Sequence, residues 1–220
     1  MGASTDIGAH YAASRQRLEA LLIDRQDDVA SIEVPACPGW TVHSVVAHLV
    51  GVIEDAAAGR IRGIPAPEQT AEHLLRHQDE TLVTMLHQWR VTSPIFERAL
   101  SDRQVWPALL DALTHEHDVR SAIGDAGSRD CDSIRLAARH LADTLDPDLG
   151  VMVRFADEPE FSTGFGAPLF ALTTTAFEFF RLRLGRRSTA QVELLDWSRS
   201  PRPVIDQLFV FAPRPTPLEE

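Results

Sequence analysis

What this chain lacks narrows it first. Among its 220 residues no apolar run approaches the roughly 20 needed to span a bilayer, so no membrane-crossing segment is expected. The first residues, MGASTDIGAHYAASRQRLEALL, have no basic region followed by an apolar block and no small-residue cleavage pattern. A secretory signal is therefore not expected, and the cytoplasm is the expected location. Cysteine is scarce. Cys37 and Cys131 form no spaced motif and fit a reducing compartment, with a single disulfide between them left open. Cations are outnumbered, 21 Lys and Arg against 32 Asp and Glu, for a formal net charge of −11. Phosphate neutralisation takes a cluster of Lys and Arg that outweighs local acid, so no nucleic-acid partner is expected. The one basic cluster, RLRLGRR at 181–187, reads either as a small-anion site or as a helix C-terminus whose arginines offset the dipole. No internal repeat, heptad array or low-complexity tract is visible.

What is present is a composition of 44% hydrophobic and 24% charged residues, enough for one sizeable domain or two small ones with a real core. Four helical stretches come first. Leu18, Leu21, Leu22 and Val29 recur at helical spacing between Tyr11 and Val29. After the loop SIEVPACPGW, Thr41 can cap a second helix whose apolar stripe is Val42, Val45, Val46, Leu49 and Ile53, running to about Ala58. Thr70 can cap a third, over residues 70–101, which Pro94 should kink or break. The fourth starts near Pro107 and stops at Gly124. Short connections between four helices predict a bundle.

The remainder changes character. RDCDSIRLAARHLADTL reads as a helix, GVMVRFADE as a strand, FSTGFG as a turn and APLFALTTT as a second strand. AFEFFRLRLG is then a helix ending at Gly185, TAQVELLDW a short helix, and PVIDQLFVF a helix or a strand. The expected organisation is a mainly α chain: a helical domain over 1–127 and a small α+β domain over 128–220, with the proline-rich tail APRPTPLEE mobile.

Histidine is the informative residue type, because it ligates metals as a neutral base and titrates near physiological pH. In PACPGWTVHSVVAHLVG, residues 35–51, His48 falls on the flank of the second helix's apolar stripe, where it reads as a satisfied core residue or as a ligand. In LLDALTHEHDVRSA, Asp111 and His115 are four apart on one face, and Asp118 continues that row. Glu116 and His117 point elsewhere, and His117 is given no catalytic role. An i, i+4 carboxylate–imidazole pair can close on one divalent ion, with a third ligand from another helix leaving positions open for water or substrate. The same spacing also describes a solvated helix salt bridge. Asp118 can fix an imidazole tautomer or pair with a helix cation. Trp40 and Trp106 are expected to pack against helix ends.

Three stretches together, PACPGWTVHSVVAHLVG, DALTHEHDVRSAIG and FEFFRLRLGRRSTAQVELLDW, resemble the actinobacterial maleylpyruvate isomerase family of mycothiol-dependent proteins. The resemblance runs from about Tyr11 to Trp197. It implies a DinB/YfiT-like four-helix bundle followed by the α+β unit, and a divalent metal, zinc with nickel as the alternative, held by His48, Asp111 and His115. The acid in that family is commonly Glu, so the shorter Asp111 is expected to reach the ion through helix adjustment or water. The resemblance also places Arg186 where the family's C-terminal unit offers a cation toward the pocket. Its implied cosubstrate is mycothiol. The metal would hold a thiol as thiolate for addition to a small electrophilic substrate, in an isomerase or a transferase. The partners are thus a small-molecule thiol and an electrophile, in a monomer or homodimer. Two competing readings are a bundle that has lost catalysis and binds a small molecule or protein, and a structural one in which Asp111 pairs with an arginine and His48 bonds a carbonyl.

Overall fold

The computed structural model describes residues 5–61, 63–163 and 168–220. The chain divides into two compact units, residues 1–126 and 127–220.

In the first unit, Asp6 caps α1 (Ile7–Leu22) by accepting from the Ala9 amide at 2.9 Å. The helix stops at Leu22, short of the expected end, and a turn separates it from the single-turn α2 (Gln26–Val29). The loop that follows is knitted by its own backbone: Val34 donates to Trp40, Cys37 to Val34 and Trp40 to Cys37. Gly39, at φ +83°, supplies the left-handed residue this tight reversal needs. Thr41 then caps α3 (Val42–Ala57) through the Ser44 amide, so sequence periodicity and helix phase agree here.

The expected third helix is two helices. α4 (Pro67–Arg76) starts at a proline in its first turn rather than at a Thr70 cap, and α5 (Leu82–Arg103) is capped afresh by Thr81. The break therefore falls at 77–81, and Pro94 lies within α5. In the turn before that proline, the Thr92 and Ser93 hydroxyls donate back to the Gln88 and Trp89 carbonyls. α6 (Trp106–Ala122) follows, with Pro107 in its first turn and Gly124, at φ +72°, past its end. The four long helices pack with α1 against α5 and α6, and α3 against α4, α5 and α6. Between them Leu18, Val46, Met85, Trp89 and Leu113 are wholly or almost wholly buried. Trp89 donates its indole N–H to the Tyr11 hydroxyl at 3.0 Å, satisfying both buried polar groups.

In the second unit, α7 (Asp132–Asp143) precedes strands β1 (Val151–Phe155), β2 (Glu158–Ser162) and β3 (Phe170–Thr174). α8 (Ala176–Arg183), α9 (Thr189–Glu193) and the two-residue β4 (Asp196–Trp197) follow. The sheet order is β2-β1-β3-β4, with β1 antiparallel to β2, parallel to β3, and β3 antiparallel to β4. Alternation puts Val151, Val153 and Phe155 of β1 on the buried side. α7 packs against α8. Phe161 and Ser162 of the expected turn FSTGFG belong to β2, while residues 164–167 lie outside the described residues. PVIDQLFVF contains only a short 3-10 turn at Ile205–Leu208.

The tail is held, contrary to expectation. Arg214 bridges to Ser188, Leu218 is buried, and Glu220 pairs with both Arg181 and Arg187. In the basic cluster, Arg181 and Arg183 fall in the last turn of α8, where the helix-end reading puts them, and with Arg187 they are buried among carboxylate and carbonyl partners. Both cysteines are free thiols, so no disulfide joins them. Among the described residues no helix is long and apolar enough to cross a membrane. The architecture is mainly α with a small α+β unit, as the sequence predicts.

Candidate functional site

The first unit brings three of its histidines, His48, His73 and His115, together where α3, α4 and α6 meet the loop before α3. His48 projects from α3 with 4% of its surface exposed, and His115 from α6 with 7%. His48 Nε2 lies 3.4 Å from Asp111 Oδ2, and His115 Nε2 lies 3.5 Å from Asp111 Oδ1. One carboxylate thus faces both imidazoles, an oxygen to each. The three donor atoms all fall within 4.8 Å of one another. Asp111 is the most open of the three, its side chain 29% exposed, so the group is reached from solvent on that side.

These separations test whether the residues suit a metal. Charge-assisted N–H···O contacts close to about 2.7–2.9 Å. Tetrahedral donors bound at about 2.0–2.2 Å stand about 3.3–3.6 Å apart. The gaps of 3.4 and 3.5 Å, one to each oxygen of Asp111, are longer than such a contact and in the range of donors spaced around one ion. Two imidazoles and one carboxylate are also a donor set that divalent zinc accepts, leaving a fourth position open.

What stands behind each imidazole sets which nitrogen is available. Asp118, with no exposed surface, has Oδ2 3.1 Å from His115 Nδ1. An ionised carboxylate accepts only, so with Asp118 ionised His115 carries its proton on Nδ1 and presents the Nε2 lone pair to the Asp111 side. Cys37 reaches the same place from the loop, with Sγ 3.3 Å from Asp118 Oδ2 and 3.8 Å from His115 Nδ1. Cys37, His115 and Asp118 form a second group with donor atoms within 4.8 Å of one another. His115 is therefore common to both groups through different nitrogens.

Behind His48 the arrangement is longer. His73 of α4 is wholly buried, with Nδ1 3.4 Å from His48 Nδ1 and Nε2 3.0 Å from Asp55 Oδ2. Arg60 and Arg76 donate to the other oxygen of Asp55, at 2.6 and 3.0 Å for their nearest nitrogens. Burial alone would raise the Asp55 pKa, but the hydrogen bonds from His73, Arg60 and Arg76 outweigh it and hold the carboxyl down to about 2. Burial pushes the His73 pKa down, and the Asp55 hydrogen bond offsets that only in part.

Sequence reasoning singled out His48, Asp111 and His115, and the fold brings these together. It quoted Trp40 and Cys37 without giving them a place in the site. Trp40 stacks on the His115 ring, centroids 5.9 Å apart at 21°, and lies tilted over His48 at 5.4 Å. His73 and Asp55 were missed altogether. Glu116 points away from the site, as expected, into a buried cluster with Ser14, Arg17 and Arg120. Arg186 belongs to the second unit, where its guanidinium donates to the Leu184 carbonyl at 3.2 Å. That unit has a cleft of about 700 Å³, and the arginines lining it are Arg129 and Arg187.

Fold and site together define a helical protein that presents a two-histidine, one-carboxylate group between its helices. The family follows from the sequence comparison. The model described as mycothiol maleylpyruvate isomerase N-terminal domain matches residues 11–178, and the chain belongs to that family. Two solved structures are similar, both of the mycothiol-dependent maleylpyruvate isomerase, one of them a histidine-to-alanine mutant. The mutant aligns with a TM-score of 0.45 at 13% identity, over 82% of this chain and 88% of its own. The other has a TM-score of 0.43 at 14% identity, over 82% of this chain and 87% of its own. No curated protein matches.

Proposed function

We propose that this protein is a mycothiol-dependent enzyme, an isomerase or thiol transferase acting on a small electrophilic substrate, with a divalent metal held by His48, Asp111 and His115. Family membership supports the thiol and the isomerase class. The observation that carries the metal is the pair of imidazole Nε2 atoms facing the two oxygens of Asp111 at 3.4 and 3.5 Å. When bound, the ion, zinc or nickel, would supply an open position that lowers the pKa of the thiol.

The chain's own residues do the rest. Asp118 keeps the His115 proton on Nδ1, so that Nε2 stays a donor. Trp40 forms an apolar wall over both rings, limiting water on that side. Asp111, the exposed member, lies at the side from which a thiol and its electrophile enter. On the family resemblance, Arg186 is the cation offered to the substrate. The reaction class is addition of a thiol to an activated double bond, followed by elimination in an isomerase or by release of the adduct in a transferase.

Metal analysis of protein purified without added zinc or nickel, and again after reconstitution, tests the reading. One ion per chain is expected, lost in His48→Ala. A chain that takes up no stoichiometric metal even on reconstitution overturns it and returns the protein to a binding module.

A further inference from the structure

The hydrogen bonds behind His48 have a direction, and it runs outward from Asp55. Asp55 accepts from Arg60 and Arg76 on Oδ1, which keeps it ionised and able only to accept on Oδ2. His73 Nε2, 3.0 Å from that oxygen, must therefore carry a hydrogen. The His73 ring has no exposed surface and stands beside a second imidazole, and the one carboxylate it meets is already shared by two arginines, so the ring is read as neutral. A neutral ring protonated at Nε2 has a lone pair at Nδ1. That lone pair faces His48 Nδ1 at 3.4 Å, so His48 is the donor of this contact. His48 Nε2 is then left unprotonated, on the side where Asp111 stands.

We propose that His73 and Asp55 are positioning residues that fix His48 in its Nδ1–H tautomer and so present its Nε2 lone pair to the candidate metal group. The metal half of this statement rests on the proposed function; the tautomer half does not. Both imidazoles of the group are on this account keyed by a buried acid, His115 directly by Asp118 and His48 through an intervening ring. The fold makes specific room for that ring. A Cβ on Gly51 would sit 2.4 Å from His73 Cγ and 2.6 Å from its Cβ and Cδ2, so α4 reaches His48 only because α3 carries glycine there. His73 is also the one residue of α4 that is fully buried among its described positions, so the helix delivers little else to the interior.

Long-range nitrogen–proton correlation spectra of the metal-free full chain, with histidines labelled, report the tautomer directly. The expected result is His48 as Nδ1–H. His73→Leu, which removes donor and acceptor, should release His48 into a tautomer mixture. His73→Gln, whose amide both accepts and donates, should keep the Nδ1–H form. Asp55→Asn supplies a second route if His73→Leu does not fold. Arg60 and Arg76 hold the amide oxygen on their side, so the amide N–H₂ faces His73 Nε2 and should invert the chain, leaving His48 as Nε2–H.

Zinc affinity, measured by competition with a chromophoric chelator, should fall about 10–100-fold in His73→Leu and by less in His73→Gln. An Nε2–H His48 in the unmodified chain, or a tautomer unmoved by both His73→Leu and Asp55→Asn, overturns the proposal. If the unmodified chain binds no zinc while His48 is Nδ1–H and responds to Asp55→Asn, the metal reading fails and the positioning role stands.

Discussion

Cys37 Sγ lies 3.3 Å from Asp118 Oδ2, at the point where the loop before α3 meets the middle of α6. The same oxygen is 3.1 Å from His115 Nδ1, so one buried carboxylate oxygen takes both the imidazole N–H and the thiol hydrogen. This ties the PACPGW loop to the helix carrying Asp111 and His115. It also sets Trp40, three residues on, against the His115 ring.

The two donor groups that share His115 make opposite forecasts. With the ion on the Nε2 side, Cys37→Ala removes only a hydrogen bond behind the site, and zinc affinity should stay within about threefold, an effect near 0.6 kcal/mol. Asp118→Ala should cost about 10–100-fold, because the His115 tautomer is no longer fixed. With the ion on the Nδ1 side, Cys37→Ala would abolish binding, and the cobalt-substituted protein would show a thiolate-to-metal charge-transfer band. Competition titration and the cobalt spectrum together decide between them, and we expect no such band.

Asp55 predicts an acid-limb signature in stability. Its folded pKa, about 2, is below its ordinary value of 3.8, so the unfolded chain takes up the proton first as pH falls. The stabilisation is complete above 3.8 and is lost progressively as pH drops toward 2. A depression of this size corresponds to about 2 kcal/mol. Urea midpoints measured between about pH 5 and pH 2 should fall through that window in the unmodified chain. Asp55→Asn should lie lower at the upper end and be flatter across it. Parallel curves for the two proteins would refute the assignment.

Much of this was legible from particular residues. Thr41 and the valines after it fixed the phase of α3, and that phase put His48 on the edge of the core, where the fold has it. The Asp-x-x-x-His spacing of Asp111 and His115 needed only helical geometry to be read. The buried face of α4 was not legible, for a physical reason. Its large aliphatic residues are Leu74 and Leu75, and Leu75 is 65% exposed while His73 is buried. Apolar periodicity turns that helix the wrong way, because the side chain it buries is bought by hydrogen bonds to His48 and Asp55 rather than by apolar area. Pro94 is not where the helix breaks. A proline marks where a helix can break, but the break came at 77–81, where Thr81 offers a fresh cap. The tail read as mobile by its prolines, and nothing in its composition revealed that Glu220 meets two buried arginines.

That pairing gives the last prediction. Arg181 has no exposed surface, and its Nε donates to Glu220 Oε2 at 3.1 Å, with a second close contact between Nη2 and Oε1. Arg187 donates to the same Glu220 carboxylate at 2.8 Å and is separately paired with Glu178 at 2.5 and 2.8 Å. The surrounding tail is strapped down by Gln191, which donates to the Leu218 carbonyl at 2.9 Å and accepts from its amide at 3.2 Å. Removing one partner of a buried ion pair is strongly destabilising, by about 3–5 kcal/mol where nothing else offsets the charge left behind. Because Arg187 keeps Glu178, Glu220→Ala should fall at the low end, about 3 kcal/mol, read as a lowered thermal midpoint of the full chain. An apolar replacement of both partners, Arg181→Met with Glu220→Leu, should recover most of that loss, since well-packed apolar groups replace a buried pair at little cost. A Glu220→Ala chain that melts with the unmodified one would mean that the tail does not hold the buried arginines in solution.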